Sequence, residues 1–427
     1  MVSRHSLRAR CPVENASTTS PAPATRPCDP GARPRWQVAT TVVVLAALCA
    51  LRRPELLAAP RFWAEEGTLF YRAALTDGLL PTLLRPPLGY QNLATTLSTT
   101  GAAVLPIDAA PTFTTWIAFA VQVLTASLAV TMAGRYVASF GASLLLAALV
   151  LALSPTEIWL TSTNLHYWLG VAAWFVLCDQ RSDGARPRHG TRALLLLAGL
   201  SGVQACFLLP LFLLRAWSTR ARERWIQSGI LAAASLLQIV TIVASWLQVD
   251  PNLSTRFVAP DPSWLLLATY HTVEPLLGHE WLGSPPSAAS VWLAFAATAL
   301  LLLAVAVAQV RRGEQVTGWA AWLLVIALST AGSLHFAGGL RYAFGPNVIA
   351  FTLLFAGCAR GRPGWQRAVC ALLVGAAVLS NGWHYRARIH WAPDLPVWTD
   401  EVRHWRQDRS FTPRIWPDGW VVQLPPQ

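Results

Sequence analysis

Lysine is absent: all 33 basic residues of this 427-residue chain are arginine. Charge of either sign is scarce, 13% of residues against roughly 25% in ordinary soluble domains. A chain this long and this poor in charge has to turn most of its surface toward something other than water. The seven cysteines (Cys11, Cys28, Cys49, Cys178, Cys206, Cys358 and Cys370) form no C-x-x-C pair and no Cys/His cluster. That excludes a zinc-ribbon pattern and leaves no disulfide framework to read. No internal repeat is evident, which weighs against transporters built from repeated halves. The net charge of +12 does not point to nucleic acid, because the arginines gather in short loops between apolar runs rather than on one face.

What is abundant is long apolar sequence. Val38–Leu51, Phe113–Met132, Ser143–Leu153, Ile230–Leu247, Ala288–Val310 and Val369–Leu379 hold no ionisable side chain other than a cysteine. Several approach the roughly 20 residues that cross a bilayer. The expected fold is all-α, a polytopic transmembrane helix bundle of about ten spans or hairpin segments. The expected segments are 36–51, 112–133, 140–155, 165–178, a hairpin at 193–214, 226–247, 289–310, 317–334, 343–359 and 367–380. The hairpin reading rests on basic flanks, Arg192 and Arg215, with Gly199-Leu-Ser-Gly202 at the middle and a break at Pro210.

Residues 1–35, rich in Arg, Pro, Ser and Ala, read as a disordered cytoplasmic tail. Residues 36–380 form the bundle, with external loops at 52–111 and 248–288, and residues 381–427 form an external Trp-rich cap. From Arg135 to Arg367 the inside loops of this map hold 14 arginines and the outside loops two, Arg256 and Arg341, as positive-inside sorting in a plasma membrane requires. Arg52, Arg53 and Arg61 are the exceptions, because the map places them outside.

Polar chemistry collects in the external loops. The first contains Pro60-Arg-Phe-Trp-Ala-Glu-Glu-Gly67, an amphipathic stretch Thr68–Leu80, Leu88-Gly-Tyr-Gln-Asn92, and a Thr-rich apolar stretch, Asn92–Leu105, expected along the membrane surface. Adjacent carboxylates at a membrane boundary are costly unless solvated or paired. At the edge of a water-filled cleft, Glu65 or Glu66 has the chemistry of a general base toward a hydroxyl. The plain alternative is a pair of acids favoured at a helix N-terminus.

An acidic pair in the first external loop of a polytopic protein, here Glu65-Glu66-Gly67 followed by Phe70 and Ala73-Ala74, resembles the GT-C class of glycosyltransferases. The hairpin, running from Gly199 to Leu208-Leu-Pro210, is similar to a Gly-rich pair of short helices in that class. Phe62-Trp-Ala-Glu-Glu-Gly67 with Gly89-Tyr90 is also similar to a group of bacterial membrane proteins placed near it. The resemblance implies inverting transfer from a polyprenyl-phosphate sugar to a glycan, lipid or protein acceptor at the external face. It gives Glu65 the base position and Glu66 a supporting or metal-contacting one. A divalent metal is compatible with the class, although no residue pattern here specifies one. Two departures stand out: Glu replaces the more usual Asp in the pair, and Val203-Gln204 stands at the hairpin tip in place of a lysine.

A donor phosphate calls for a guanidinium. Arg341, in His335-Phe-Ala-Gly-Gly-Leu-Arg-Tyr342, is the candidate; the alternative is an interfacial arginine lying beside Tyr342. Asn164 and His166, in Thr161-Ser-Thr-Asn-Leu-His-Tyr-Trp168, join Tyr90 and Tyr342 as groups suited to substrate binding, or else form a capped helix start in an aromatic belt. His271, Glu274, His279 and Glu280 are spaced too irregularly for a metal motif. Trp383, Trp391, Trp398, Trp405, Trp416 and Trp420 offer carbohydrate-stacking faces or simply the core of the cap. The rival whole-protein readings are a transporter or lipid flippase, and a non-catalytic envelope-assembly protein.

Overall fold

A computed structural model of the protein describes residues 33–84, 86–137, 139–184, 187–247, 269–278, 281, 287–313, 315–333, 340–359, 362–386 and 397–425. The tail before residue 33 lies outside them, as do Arg256, His279, Glu280, His335 and Trp391. All named elements are helical, and the only pairing of extended backbone among the described residues is two isolated β-bridges.

The helices follow the apolar runs. Arg35–Arg52 (α1) ends where Pro54 forbids continuation and a short helix, Pro54–Ala58 (α2), takes over. The first loop then carries a π-helix, Glu66–Tyr71, and the helices Arg72–Thr76 (α3), Leu79–Leu84 (α4) and Leu93–Ala103 (α5). Ala110–Met132 (α6), Phe140–Ala152 (α7) and Leu165–Cys178 (α8) follow, with Ser139 capping α7 through the Ala142 N–H at 3.2 Å. Next come His189–Leu200 (α9), Val203–Cys206 (α10), Leu209–Thr219 (α11), Arg222–Leu247 (α12) and Glu274–Leu277 (α13). Ala288–Val310 (α14) opens on a Ser287/Ser290 capping box, and Val316–Ser333 (α15), Arg341–Gly357 (α16), Gly364–Trp383 (α17) and Trp398–Gln407 (α18) complete the chain.

A helix therefore stands at each expected segment. Among the described residues four stretches are long and apolar enough to cross a membrane: Arg35–Arg52, Ile107–Met132, Arg222–Ser245 and Ala288–Val310. The bent α9–α11 segment is a fifth if it is one span. The expected count of ten is not established by length, because α7 and α8 have 13 and 14 residues and reach only about 20 Å at ~1.5 Å per residue, short of a ~30 Å hydrocarbon core. The chain nonetheless reads as a membrane protein. Helix α14 exposes Leu293, Leu300 and Leu303, each more than half accessible, on a body with no charge to solvate it.

Helix α8 is the axis of the packing, buried along its length except for Gly170, against α5, α6, α9, α10 and α16. The hairpin expectation holds in outline: α9 and α10–α11 are bent by 115° at the break around Ser201–Gly202. Pro210 lies in the first turn of α11, where it needs no helical N–H, rather than at the break. Both feet of the hairpin are fastened at the Cys178 end of α8. Arg192 pairs with Glu223 at 2.6 Å, while Arg215 and Arg224 pair with Asp183 at 2.6 and 2.7 Å.

Helix α5 does not lie simply on a surface. Its Thr95, Thr96, Ser98 and Thr99 are buried, and the Thr95 hydroxyl donates to the Ser162 carbonyl at 2.7 Å, so its polar face is used inside the protein. Of the three exceptional arginines, Arg52 and Arg53 are buried and Arg61 is half-buried. Arg52 donates to the carbonyls of Leu151 and Ser154, Arg53 pairs with Glu55 at 3.0 Å, and Arg61 lies 3.9 Å from the Trp416 ring centre.

The C-terminal cap and the first loop share one small core: Phe62, Tyr71, Ala102 and Ala110 from the loop, with Trp398, Val402, Ile415 and Val422 from the cap. Trp405 and Trp416 are buried too, so these cap tryptophans are packing residues, whereas Trp383 is 86% exposed. An Arg406–Asp108 pair and a bond from the Trp398 indole to the Ile107 carbonyl, 2.8 Å, fasten the cap to the end of the loop.

Candidate functional site

The Glu65-Glu66-Gly67 segment is shaped from both sides. Trp416 exchanges backbone hydrogen bonds with Phe62 and Ala64 in a parallel bridge, drawing the cap onto residues 62–64. Ala64 is held at φ 41°, a left-handed conformation that L side chains rarely adopt. The π-helix begins two residues later, at Glu66. A β-carbon at Gly67 would stand 2.8 Å from both Ile415 Cδ1 and Val422 Cγ2, so only glycine lets the cap close at this point. Left-handed backbone and a π-turn in one short stretch are features that cluster at functional sites.

The two carboxylates part company here. Glu66 is 1% exposed: its Oε1 accepts from the Ser162 N–H at 3.1 Å and the Ser162 hydroxyl at 2.5 Å, and its Oε2 from the Trp63 N–H at 3.1 Å. Burial holds this carboxyl above the usual carboxylate range, against the opposing pull of its bonds with Ser162, Trp63 and Thr114. Glu66 is thus a clasp between the first loop and the 156–164 turn. Its neighbour Glu65 is partly exposed, and among the described residues no hydrogen bond or ion pair holds it.

The 156–164 turn presents a residue that sequence reasoning missed. Glu157 accepts from the Arg341 backbone N–H at 2.9 Å and from Arg341 Nη1 at 3.0 Å, which seats the start of α16 on the turn. Asn164 locks the same turn, its amide donating to the Glu157 carbonyl at 2.9 Å and to Thr161 Oγ1 at 3.1 Å. Asn164 is therefore a positioning residue, buried at 7% exposure, and it does not cap α8. Arg341 keeps 33% of its side chain accessible, and Glu65, Glu157, Tyr167 and Tyr342 all act on its charge.

A chain of rings runs from Arg341 across the site. The guanidinium lies 5.4 Å from the Tyr342 ring, Tyr342 meets Tyr167 edge-on at 5.8 Å, Tyr167 lies 4.2 Å from His166, and His166 meets Tyr90 at 6.2 Å. Tyr90 is held by its neighbours: Gln91 exchanges backbone bonds with the Gln238 amide of α12, 3.0 Å each, and Asn92 donates to the Thr163 carbonyl at 3.1 Å. The fold thus brings Arg341 and Tyr342, His166, and Tyr90 together from three separate segments, with Asn164 supporting them and Glu65 within electrostatic reach. Tyr167 belongs to the set and was not singled out by sequence.

Below Tyr167 and Tyr342 a narrow apolar cleft descends between α8, α15, α16 and the hairpin, lined by Gly170, Val171, Trp174, Leu208, Val325 and Ile349. Pro346, inside α16, also faces it. The hairpin tip closes one wall. Gly202, at φ 153°, lies so close to His166 that a β-carbon there would stand 2.6 Å from His166 Cβ. Gln204 lines the cleft with a buried Oε1 that has no hydrogen-bond partner among the described residues. The tip, which lacks the expected lysine, therefore contributes an amide.

Both Glu66 oxygens are engaged by protein donors, and no group of three His, Cys, Asp or Glu able to hold a metal occurs among the described residues. His271 and Glu274 sit apart from the cleft, at and just before α13. No protein-family model, curated protein or solved structure matches the chain.

Proposed function

We propose that the chain is a membrane glycosyltransferase, similar to the GT-C class, which moves a sugar from a polyprenyl-phosphate donor to an envelope glycan, lipid or protein acceptor by inverting transfer. The observation that carries this reading is one juxtaposition. An untethered carboxylate, Glu65, acts electrostatically on a partly exposed guanidinium, Arg341, whose neighbour Tyr342 joins Tyr167 and Gln204 in lining an apolar cleft.

In the proposed reaction an acceptor hydroxyl oxygen attacks the sugar C1 while its proton passes to Glu65. The bond from C1 to the donor phosphate oxygen breaks, and the electron pair leaves on the polyprenyl phosphate. Arg341 meets that charge. Glu157 takes its backbone N–H and Nη1, so further guanidinium donors remain for a phosphate oxygen. Tyr90, His166, Tyr167, Tyr342 and Gln204 offer ring faces and hydrogen-bonding groups to the sugar, and the apolar cleft, with a cavity volume of ≈ 20 Å³, would have to widen between its helices to admit the prenyl chain. The reading places the amino terminus in the cytoplasm and the first loop and cap outside, with the remaining apolar helices as spans.

The test is transfer by proteoliposomes supplied with a panel of labelled polyprenyl-phosphate sugars, comparing wild type with Glu65→Gln at equal thermal stability. Wild-type transfer with inversion at C1, abolished in Glu65→Gln, is the expected result. Full transfer by Glu65→Gln, or retention at C1, sinks the assignment of the base. Movement of the lipid between leaflets without transfer favours the flippase alternative.

A further inference from the structure

Four arginines are buried among the described residues: Arg52, Arg53, Arg215 and Arg224. Three have a carboxylate within ion-pair distance, at 3.0, 2.6 and 2.7 Å. Arg52 has none. Its Nη1 donates to the Leu151 carbonyl at 2.6 Å and to Ser154 Oγ at 2.7 Å, its Nη2 to the Ser154 carbonyl at 2.7 Å, and its face lies 4.3 Å from the Trp159 ring centre. Three of its five N–H donors find acceptors, yet among the described residues no carboxylate lies within ion-pair distance of it, and an unbalanced charge away from water is costly.

Arg52 lines a polar chamber with a cavity volume of ≈ 50 Å³, shared with Glu274, Ser380, Asn381 and His384. Ser380 Oγ is buried there with no hydrogen-bond partner among the described residues. Gly278, at φ 86°, forms part of the wall, and a β-carbon there would stand 2.9 Å from Ser380 Oγ. At the ~10–15 Å³ that one water requires, the chamber has room for about four waters, which matches a phosphate group and is small for a sugar ring. Burial pushes the Glu274 carboxyl up to about 8, against the attraction of Arg52, so it is mostly protonated near neutrality and leaves the charge uncancelled.

An apolar groove between α1, α7 and α17 adjoins the chamber, with a cavity volume of ≈ 280 Å³, lined by Leu48, Leu145, Ala148, Leu149, Val378 and Tyr385. Ala152 borders both spaces. Tyr385 joins them, its hydroxyl donating to the Leu48 carbonyl at 2.8 Å and its ring 5.2 Å from the Arg52 guanidinium. The space is separate from the Arg341 cleft, yet backs onto it. Thr156 and Leu340 wall the chamber, and the next residues in the chain, Glu157 and Arg341, form the ion pair of the first site.

We propose that this second space binds a phosphate-bearing membrane lipid, its head against Arg52 and Ser380 and its chain along the α1–α7–α17 groove. Charge complementarity selects the head, and the adjoining apolar groove selects a lipid over a free anion. The assignment is independent of transfer activity.

The test uses the full chain in phosphatidylcholine nanodiscs doped with phosphatidic acid carrying a photoreactive diazirine in one acyl chain. After irradiation, crosslinks concentrate on α1, α7 and α17 peptides. They fall about tenfold in Arg52→Gln and in the groove-filling Ala148→Trp, and fall likewise when the probe is the matching diacylglycerol, which lacks the phosphate. Millimolar inorganic phosphate leaves them unchanged. Labelling spread evenly around the helices, equal labelling by diacylglycerol, or displacement by inorganic phosphate overturns the proposal. If Arg52→Gln does not fold, Ala148→Trp and the head-group comparison decide it.

Discussion

The two ends of α8 use charge in opposite ways. At the Cys178 end, Asp179, Asp183, Arg181, Arg192, Arg215, Glu223 and Arg224 are matched in ion pairs of 2.6 to 2.8 Å. Gln227 fills a remaining gap by donating to Ser182 Oγ and Glu223. At the Leu165 end charges are fewer and rings more numerous. Glu65 has no partner among the described residues, and Arg341 shares one carboxylate while staying a third exposed. Charges spent on one another hold a fold together, whereas charges left accessible at a cleft mouth are available to a substrate. Under the proposed function, that contrast makes the Cys178 end structural and the Leu165 end the place for chemistry.

The largest effect expected from breaking the comparison is at the structural end. Arg224, with no exposed side-chain surface, bonds Asp183 and the carbonyls of Val176 and Asp179. Arg224→Gln leaves Asp183 with Arg215 alone and two buried carbonyls without their donor, and is expected to cost roughly 3–5 kcal/mol, read as a large drop in melting temperature in detergent. Arg341→Gln, by contrast, should leave melting close to wild type and act on transfer. Equal destabilisation by both would erase the distinction between the two ends.

Next in size is Glu66→Gln. It replaces an all-acceptor group facing three donors, so one amide hydrogen must point at a donor, and a loss of about 2 kcal/mol is expected by thermal melting. Glu65→Gln should shift melting by less than about 0.5 kcal/mol. A similar shift for the two variants would refute the division of roles within the pair.

Gly67→Val tests the cap. The added atoms collide with Ile415 and Val422, and a cost of about 1–3 kcal/mol is expected, seen as faster proteolysis of the 397–425 segment while the α8 packing persists.

The smallest effect is in pH. Glu274 sits at about 8 against an ordinary 4.5, raised by burial and opposed by Arg52. A carboxyl raised in the folded state contributes its stability fully below pH 4.5 and loses it as pH climbs to about 8. His271, which burial lowers to about 3, acts in the opposite sense below pH 6.5, so pH 6.5 to 8 excludes it, while Glu66, also raised by burial, acts in the same sense as Glu274 and stays in place in a Glu274 variant. Wild-type melting should decline over that window and Glu274→Gln should lessen the decline. Parallel slopes for the two proteins would count against the buried, protonated carboxyl.

Much of the frame was legible because runs without charge leave helix as the economical way to bury backbone. The hairpin was legible too, from basic flanks and the Gly199 and Gly202 pair. Arg341, Tyr342, His166 and Tyr90 could each be picked out as polar groups at the mouth of a span. Their meeting could not, since it depends on contacts between segments far apart in sequence, such as Arg341 with Glu157, 184 residues away. The same distance hid Glu157, Tyr167 and Gln204. Adjacent Glu65 and Glu66 are indistinguishable as letters, and only the arrival of Ser162 over one of them separates clasp from free carboxylate. Arg52, Arg53 and Arg61 misled a charge count because counting treats every arginine as solvated.

The shared core of loop and cap has a further consequence, one of parity. Phe62 and Tyr71 cannot pack on Trp398 and Val422 unless the first loop and the cap occupy the same side of a membrane. The chain between them must then cross an even number of times. The long helices α6, α12 and α14 would by themselves leave the cap on the far side. A hairpin whose feet stand together adds none or two and cannot repair the odd count. If α6, α12 and α14 each cross, the same-side contact calls for an odd number of further crossings, which the five shorter helices α7, α8, α15, α16 and α17 taken together would supply. A contact between a few aromatic rings outside the bilayer thus constrains how every helix inside it is threaded.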